Sequence, residues 1–303
     1  MNFNEFREKL EQCLNKDKIK YNEPLKNHTS FKVGGPCLAL ITPTEKSEVV
    51  CAVNLCRENN IPYFILGNGS NLIVRDGGFN GVIIHLTSLK KIQVESNKLI
   101  VEAGATLAAA SAIALKNSLC GMEFASGIPG TVGGAVAMNA GAYGGEIKDI
   151  IESATVITDN MEVVTLTKEE LDLSYRSSII TKKHYIVLDA TFTLTEGVVD
   201  EIKALMVDLN GRRKDKQPLN YPSAGSTFKR PPGHFAGKLI EDAGLKGLSV
   251  GGAMVSEKHA GFVINYDNAT ATDVINLINK VQDIIKEKND INLETEVKII
   301  GEE

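Results

Sequence analysis

Apolar residues recur along this chain at two spacings, which together predict an α+β protein. Short apolar runs bounded by glycine, proline or asparagine are typical of strands. Apolar residues three and four positions apart are typical of amphipathic helices. The predicted strands are 37–41, 63–66, 72–74, 81–86, 92–95, 98–103, 154–158, 162–166, 185–194, 260–265 and 293–301. The predicted helices are 1–20, 49–56, 106–116, 202–209, 238–243 and 274–285.

The pattern changes character at Glu196 and Gly197. Before this point strands and short helices surround two glycine-rich segments, and after it longer helices and a basic stretch, 212–218, appear. Because a chain of 303 residues is long enough for two cores, we predict one domain over residues 1–196 and a smaller α+β domain over residues 197–303. The last strand is a candidate to return to the first domain.

Composition narrows the class of protein. Charged residues make up 23% of the chain and the net charge is −5, which is typical of a globular protein and argues against a nucleic-acid surface. No apolar run has membrane-spanning length, and residues 1–20 lack the core of a signal peptide, so we expect a cytoplasmic protein without a membrane partner. Five cysteines without a CxxC pair indicate neither disulfides nor a metal site, and we expect all five to be small buried apolar residues.

The segment Ala125–Glu146 carries seven glycines and few charges. Glycine clusters where a Cβ would collide with a neighbour, and successive bare N–H groups form a concavity that suits a pyrophosphate. A flexible linker is the alternative, but linkers are rich in glycine and serine, whereas this segment also holds Ile128, Val132 and Met138. We therefore predict an ordered ligand-binding loop.

A second glycine-containing loop, residues 67–71, follows a predicted strand. It is not a dinucleotide fingerprint, because Leu72 stands where G-x-G-x-x-G needs its third glycine and a strand follows where a helix should begin. Its N–H groups and short polar side chains still make it a candidate cradle for a phosphate or a ribityl chain.

Seven segments in the same order resemble the UDP-N-acetylenolpyruvoylglucosamine reductase family, and they span the chain. The segments are NHTSFKVGG (27–35), LGNGSNLIVRD (66–76), SGIPGTVGGAVAMNAGAYGGE (126–146), SYRSS (174–178), RRKDKQP (212–218), AGSTFKRP (224–231) and LETEVKIIG (293–301). The resemblance implies an FAD-binding domain of the vanillyl-alcohol-oxidase type (PCMH-like) in residues 1–196 and a substrate-binding domain in residues 197–303.

The resemblance also implies the chemistry. FAD is held without a covalent bond, NADPH reduces it and leaves, and an enolpyruvyl nucleotide sugar of peptidoglycan synthesis takes its place. No protein partner is implied. The residues expected to bind FAD are Gly67, Asn68, Gly69, Ser70, Asn71, Gly127, Ile128, Pro129, Gly130, Thr131, Gly133, Gly134, Ala135 and Gly141.

By match to the family's motifs, Arg176, Ser226 and Glu296 are the expected catalytic residues. An enol ether resists hydride unless its conjugated carboxylate is neutralised, and a guanidinium does this with two parallel hydrogen bonds. A serine hydroxyl then supplies the proton. Glu294 competes with Glu296, since alternation along a strand puts both on one face.

The resemblance assigns Lys216 to the substrate diphosphate, with Lys229 assisting Ser226 and Tyr175 lining the cavity. Arg230 stands where one branch of the family has asparagine, and the loop that carries that branch's lid tyrosine is absent, so the chain resembles the shorter second type. The alternatives are a flavin oxidase of the same fold and a nucleotide-sugar-binding regulator without turnover, since fold alone does not set function.

Overall fold

The computed structural model describes residues 3–303, with side chains from residue 5 onwards. The α-helices in this range are α1 Phe3–Cys13, α2 Lys46–Glu58, α3 Leu107–Lys116, α4 Val132–Met138, α5 Ile147–Ile150, α6 Ile179–Lys183, α7 Val199–Lys216, α8 Ala236–Asp242 and α9 Ala271–Asn289. The strands are β1 Ile19–Pro24, β2 Pro36–Ile41, β3 Tyr63–Leu66, β4 Leu72–Val74, β5 Phe79–His85, β6 Ile92–Glu95, β7 Lys98–Glu102, β8 Leu119–Cys120, β9 Gly141–Ala142, β10 Gly145–Glu146, β11 Ile151–Ile157, β12 Val163–Thr167, β13 Ile186–Thr193, β14 Thr195–Glu196, β15 Ser249–Val250, β16 Ala253–Val255, β17 Val263–Asn265 and β18 Lys298–Ile300.

Contacts between Cα atoms divide the described chain into two compact units. Unit 1 comprises the described residues up to Lys20, Ala39–Asn68 and Gly81–Arg212. Unit 2 comprises Tyr21–Leu38, Gly69–Asn80 and Arg213–Glu303. The boundary between these units differs from the predicted boundary at 196/197, because unit 2 also includes two early segments of the chain. The division at 196/197 stays a prediction.

Unit 1 is built on a five-stranded antiparallel sheet with the order β12-β11-β13-β7-β6. The central strand β13 is buried along most of its length, since Val187, Leu188, Ala190 and Phe192 are all buried. Helix α4 packs against this strand. Unit 1 also contains β3, which pairs in parallel with residues 82–85 of β5. Through α4, the five-stranded sheet supports the glycine-rich segment.

Unit 2 is built around helix α9 and the small sheet β15-β16-β17. The same core contains Phe31 and Ile73, which come from the two early segments. Strand β18 pairs in parallel with β4, so that Lys298 lies opposite Leu72. The unit therefore closes only when segments from both ends of the sequence meet.

Helix α9 confirms its prediction for local reasons. Thr270 Oγ1 accepts a hydrogen bond from the N–H of Asp273, and the Asp273 carboxylate accepts one from the N–H of Thr270, which forms a capping box. One face is buried and consists of Val274, Leu277, Ile278, Val281 and Ile285. Burial of each such side chain stabilises a fold by about 1.5–3 kcal/mol. The helix ends at Asp290, whose φ of 56° is left-handed.

Several predicted elements differ in their extent. The last strand covers only Lys298–Ile300 of the predicted 293–301, so Glu294 and Glu296 lie before it, and β17 covers only Val263–Asn265 of the predicted 260–265. The N-terminal helix ends at Cys13 rather than at residue 20, because a short turn leads into β1 at the buried Ile19; Met1 and Asn2 lie outside the described residues. Helix α7 runs through the basic stretch to Lys216, and only Ile202 and Leu209 of its apolar positions are buried. The glycine-rich segment contains helix α4, whose buried face includes its valines. Among the described helices, none is long and apolar enough to cross a membrane.

The prediction that all five cysteines are small buried residues outside any disulfide is wrong for Cys13, Cys51 and Cys120. Cys13 and Cys51 form a disulfide between α1 and α2, with Cα atoms 5.7 Å apart. Cys37 and Cys56 are free and buried, and Cys120 is half-buried. Sequence spacing gave no sign of the pair, because two helices distant in sequence have to pack together to form it.

Candidate active site

In unit 1 the two glycine-rich segments lie against each other. A Cβ at Gly67 would lie 2.3 Å from Thr131 Oγ1, so this position has to be glycine. Asn68 donates its Nδ2–H to the Pro129 carbonyl oxygen at 3.1 Å. Residues that the sequence assigned to one cofactor from two separate segments are therefore neighbours.

Some glycines of the segment are needed because another part of the protein lies too close for a side chain. The N–H of Gly133 donates to the Ala103 carbonyl oxygen at 2.8 Å, and a Cβ at Gly133 would lie 2.9 Å from Ala103 Cβ. The N–H of Leu107 likewise donates to the Gly130 carbonyl oxygen at 3.0 Å. Close contact with the turn between β7 and α3 thus explains Gly133 without a ligand.

Gly134 has no such explanation. It is an exposed residue inside helix α4, where glycine costs about 1 kcal/mol relative to alanine. A Cβ there would meet only Thr131 Oγ1, at 3.6 Å, so the protein leaves space above it. An exposed glycine with open space above it, beside Thr131, leaves room for the close approach of a flavin dinucleotide. The residues present therefore fit FAD.

The remaining residues of the second loop belong to unit 2. Gly69 has a φ of +61°, and a Cβ there would lie 2.2 Å from the His28 carbonyl oxygen, so both conformation and packing require glycine. Asn71 donates its Nδ2–H to the Glu296 carbonyl oxygen at 3.1 Å and accepts the N–H of Lys298 at 3.1 Å. An expected cofactor residue is thus bonded to an expected catalytic residue.

Arg176 lies at the tip of a tight hairpin in unit 1. Ser174 and Ser177 exchange two backbone hydrogen bonds, of 3.0 and 3.1 Å, which leaves Tyr175 and Arg176 at the turn. The φ of Arg176 is 54°, which is uncommon for a residue with a side chain. The guanidinium carbon lies 5.2 Å from the centre of the Tyr175 ring, within cation–π range. The structure therefore brings Arg176 and Tyr175 together.

Two side chains tie this hairpin to the end of helix α4. Asn139 donates its Nδ2–H to the Ser174 carbonyl oxygen at 3.1 Å. Ser178 donates its hydroxyl to the Ala137 carbonyl oxygen at 2.7 Å. Both Asn139 and Ser178 are buried, at 1% and 0% exposure, so neither bond competes with water.

A carboxylate lies close to the same hairpin. Glu146 accepts hydrogen bonds from Lys148 Nζ at 2.9 Å and from Asn139 Nδ2 at 2.8 Å. The hydrogen bond from Lys148 lowers the pKa of Glu146, helped by the bond from Asn139 and by the positive charges of Lys148 and Arg176. Glu146 therefore stays ionised and adds a fixed negative charge near Arg176.

In unit 2, Ser226 begins a short extended segment that runs antiparallel to the residues around Glu296. The N–H of Glu296 donates to the Thr227 carbonyl oxygen at 2.8 Å, and the N–H of Lys229 donates to the Glu294 carbonyl oxygen at 2.9 Å. Phe228 and Thr295 form the bridge between these bonds. The backbone thus brings the expected proton donor, Ser226, next to the expected catalytic glutamate.

The two competing glutamates have different surroundings. Lys229 Nζ lies 3.1 Å from Glu294 Oε2, and this ion pair is largely exposed. Glu296 lies beside Thr227, and its carbonyl oxygen accepts the hydrogen bond from Asn71. Glu294 therefore faces Lys229, whereas Glu296 is fixed next to the serine segment.

Thr227 links three parts of unit 2. It is 2% exposed, and its N–H donates to the Gly261 carbonyl oxygen at 2.9 Å. Its Oγ1 accepts the N–H of Val263 at 3.0 Å. With the bond from Glu296, this one residue connects the serine segment, strand β17 and the C-terminal segment.

Lys216, the expected diphosphate ligand, is exposed at the end of helix α7. In unit 2 it lies near His259, a half-buried imidazole whose Nδ1 accepts the N–H of Gly261 at 3.1 Å. Burial lowers the pKa of His259, and the charges of Lys246 and Lys216 lower it further. Lys216 and Lys246 thus place positive charge near His259, while the charge of Glu241, which pairs with Lys246, acts in the opposite direction.

Sequence reasoning missed Asn139 and Thr227. Asn139 is the one polar side chain in an apolar and glycine run, 132–142, and a buried polar side chain needs partners, so this was an available signal. Thr227 gives no comparable signal, since its three bonds reach residues distant in sequence. Among residues 3–303, no group of three or more histidine, cysteine, aspartate or glutamate side chains is arranged to hold a metal ion.

Two family models match the chain. The FAD binding domain matches residues 37–167, and the UDP-N-acetylenolpyruvoylglucosamine reductase C-terminal domain matches residues 217–300. The second stretch contains Ser226, Lys229 and Glu296. Tyr175, Arg176 and Lys216 lie outside both stretches.

Whole proteins are similar to the chain over nearly its full length. A UDP-N-acetylenolpyruvoylglucosamine reductase of Clostridium novyi (strain NT) is 59% identical over 295 residues, covering 97% of this chain and 96% of that protein. One from Clostridium kluyveri (strain NBRC 12016) is 57% identical over 301 residues, covering 99% of each. The crystal structure of a UDP-N-acetylenolpyruvylglucosamine reductase from Thermus caldophilus superposes with a TM-score of 0.79 at 36% identity, covering 91% of this chain and 97% of that one.

Proposed function

Because this chain belongs to the UDP-N-acetylenolpyruvoylglucosamine reductase family, we propose that Arg176, Ser226 and Glu296 carry the reduction of its substrate. The protein is an FAD-dependent oxidoreductase that uses NADPH to convert UDP-N-acetylglucosamine enolpyruvate into UDP-N-acetylmuramate for peptidoglycan synthesis. The predicted family and the α+β fold with an FAD-binding domain are thereby confirmed.

FAD, when bound, supplies the redox chemistry by passing a hydride from NADPH to the vinyl carbon of the substrate. The residues of this chain that we propose to hold it are the two glycine-rich segments, with Asn68 and Thr131 fixed beside each other. The set is Gly67, Asn68, Gly69, Ser70, Asn71, Gly127, Ile128, Pro129, Gly130, Thr131, Gly133, Gly134, Ala135 and Gly141.

Arg176 makes the double bond reducible. The enol ether is electron-rich, and its conjugated carboxylate has to be neutralised before the double bond accepts a hydride. A guanidinium stays charged and binds a carboxylate through two parallel hydrogen bonds, which a lysine cannot do. The tight hairpin supports this role, because it limits the positions that Arg176 can take.

Ser226 and Glu296 complete the reduction. Ser226 donates its hydroxyl proton to the carbon next to the carboxylate, and Glu296 polarises the developing enol. A charged carboxylate alone would repel that enol, so Glu296 is either protonated or bound to a cation at this step. The observation that carries the proposal is the hydrogen bond between the Glu296 N–H and the Thr227 carbonyl oxygen, at 2.8 Å, because it holds the segments of the two groups side by side.

Three further residues complete the proposed substrate site. Lys216 contacts the diphosphate, supported by its exposed position at the end of α7, and Lys229 assists Ser226. Tyr175 contacts the substrate beside Arg176. The domain division at 196/197 is kept as a proposal, and the enzyme acts in the cytoplasm, where nucleotide sugars and NADPH are supplied, without an obligatory protein partner.

The deciding experiment follows the flavin spectrum anaerobically in Ser226→Ala. Reduction by NADPH should keep its rate, because Ser226 has no part in it. Reoxidation by the enolpyruvyl nucleotide sugar should slow by about 10²–10⁴-fold, as expected for the loss of a general acid. Ser223→Ala, a serine in the same loop, is the matched control and should change neither rate.

Three outcomes would reject the proposal. Equal slowing of both half-reactions in Ser226→Ala would remove the proton-donor role. Reoxidation of the wild type by oxygen but not by the nucleotide sugar would make the protein a flavin oxidase of the same fold. A protein that binds the nucleotide sugar but never reoxidises would be a regulator without turnover.

A further inference from the structure

Asn139 has more partners than its position requires. It ends helix α4 with a φ of 43° and a ψ of 57°, a left-handed conformation that asparagine and glycine both adopt readily. Its side chain nevertheless makes three further hydrogen bonds. Nδ2 donates to Ser174 O at 3.1 Å and to Glu146 Oε2 at 2.8 Å, and Oδ1 accepts the N–H of Lys148 at 2.9 Å.

The hydrogen bond to Ser174 connects Asn139 to the hairpin that carries Arg176. Ser174 is the base of the hairpin that carries Arg176 two residues later, and the same residue is bonded twice to Ser177. A buried amide on this carbonyl therefore sets where the whole turn begins. No covalent connection does this, since 35 residues separate Asn139 from Ser174.

The bond to Glu146 fixes a charge beside the same turn. Asn139 Nδ2 and Lys148 Nζ both contact Glu146 Oε2, at 2.8 and 2.9 Å. Without Asn139 this carboxylate has one donor fewer, so its position relative to the positive charge of Arg176, which acts on it, is less well fixed.

We propose that Asn139 is a positioning residue for the reduction of the substrate and that it acts through Arg176. The inference rests on the proposed role of Arg176. Asn139 keeps the Ser174–Ser177 hairpin in place and holds the Glu146 carboxylate beside it, so that Arg176 meets the substrate carboxylate in one geometry.

Asn139→Gly tests this with little strain, because glycine keeps the left-handed backbone and loses only the amide. FAD content and the rate of flavin reduction by NADPH should stay within twofold of the wild type. Reoxidation by the enolpyruvyl nucleotide sugar should slow by about 10–100-fold, the range expected when a catalytic group is misplaced by about 1 Å. Asn139→Asp, which keeps the size and the bond from Lys148, should slow the same step if the glycine variant does not fold.

A double-mutant cycle identifies the route of the effect. If Asn139 acts through Arg176, then Asn139→Gly should cost nothing more in an Arg176→Ala background, so the two effects should not add. Ser111→Ala is the matched control, since Ser111 is equally buried at 1% and loses one bond, to Met122 O at 3.0 Å. It should leave both half-reactions unchanged.

The outcomes separate this inference from the proposed function. Additive effects, or equal slowing of both half-reactions in Asn139→Gly, would overturn the positioning role while leaving Arg176 in place. An Arg176→Ala variant with a normal rate of reoxidation would overturn the proposed function itself and this inference with it.

Discussion

Two segments that we assign to the same reaction are held in place by different kinds of bond. The Arg176 hairpin in unit 1 is tied to helix α4 by two side chains, Asn139 and Ser178. The Ser226 segment in unit 2 is held mainly by backbone hydrogen bonds to the residues around Glu296. Hydrogen bonds between backbone groups are kept in most substitutions, whereas a hydrogen bond made by a side chain is lost when that single residue is replaced. The hairpin should therefore be the more sensitive to mutation of residues that touch no substrate.

The largest expected effect comes from the tip of the hairpin itself. Arg176→Ala should raise the barrier to flavin reoxidation by the nucleotide sugar by about 2.7–4 kcal/mol, as for a lost oxyanion donor. Arg176→Lys should recover only part of this rate, because lysine cannot bind a carboxylate with two parallel bonds. Stopped-flow spectra measure both rates. Full recovery of the rate in Arg176→Lys would show that a positive charge is enough and that the two parallel hydrogen bonds of a guanidinium are not needed.

The next effect separates the two glutamates of unit 2. Glu296→Gln should slow reoxidation by about 10²-fold or more, as expected for a group that transfers or shares a proton. Glu294→Gln breaks only the exposed pair with Lys229 and should change the same rate by less than about fivefold, since such pairs contribute roughly 0–1 kcal/mol. The reverse order would exchange the roles of the two residues.

A smaller effect tests the buried side-chain hydrogen bond of the Ser226 segment, the one that Thr227 Oγ1 accepts. Thr227→Val is similar in shape but leaves the buried N–H of Val263 without its acceptor, which costs about 1–3 kcal/mol. Urea unfolding of the FAD-loaded protein should show this loss, while reoxidation should slow far less than in Asn139→Gly. Thr227→Ser keeps the oxygen and should recover most of the stability. Slower chemistry in Thr227→Val than in Asn139→Gly would remove the contrast between the two segments.

The smallest expected effect depends on pH. The pKa of Glu146 is lowered in the folded protein, chiefly by Lys148, so its contribution to stability is present above the unfolded pKa of glutamate, about 4.3. That contribution is lost as the pH falls through the lower folded value. The urea midpoints of the wild type and Glu146→Gln should therefore differ most near neutral pH and converge below about pH 4. A constant difference would exclude this linkage.

The sequence predicts those features of the fold and of the site that are determined by residues close together in the chain. Helix α9 and the strand 63–66 were predicted well, because a capping box and a short apolar run lie within the element itself. The end of α7 was missed, since Arg212–Lys216 has no apolar spacing to mark it as helical. The Cys13–Cys51 bond and the roles of Asn139 and Thr227 were missed, because each depends on a segment far away in the chain.

The same distinction applies to the glycines. Their number predicted a place of close approach, and Gly67 and Gly133 are such places, but their neighbours are Thr131 and Ala103 of the protein. Gly134 is different because nothing in the protein requires it. The sequence does not distinguish a glycine that is in close contact with another part of the protein from a glycine that leaves space for a ligand. The structure does distinguish them.

The pairing of β18 with β4 has a consequence for biosynthesis. Strand β4 leaves the ribosome early, while its partner is made almost at the end of the chain, and the core of unit 2 also needs Phe31 and helix α9. Closing so long a loop is slow, and an unpaired strand edge invites association with other chains. The early segments of unit 2 therefore have to wait, exposed, until translation is nearly complete, and nascent chains of this protein should be natural clients of ribosome-associated chaperones.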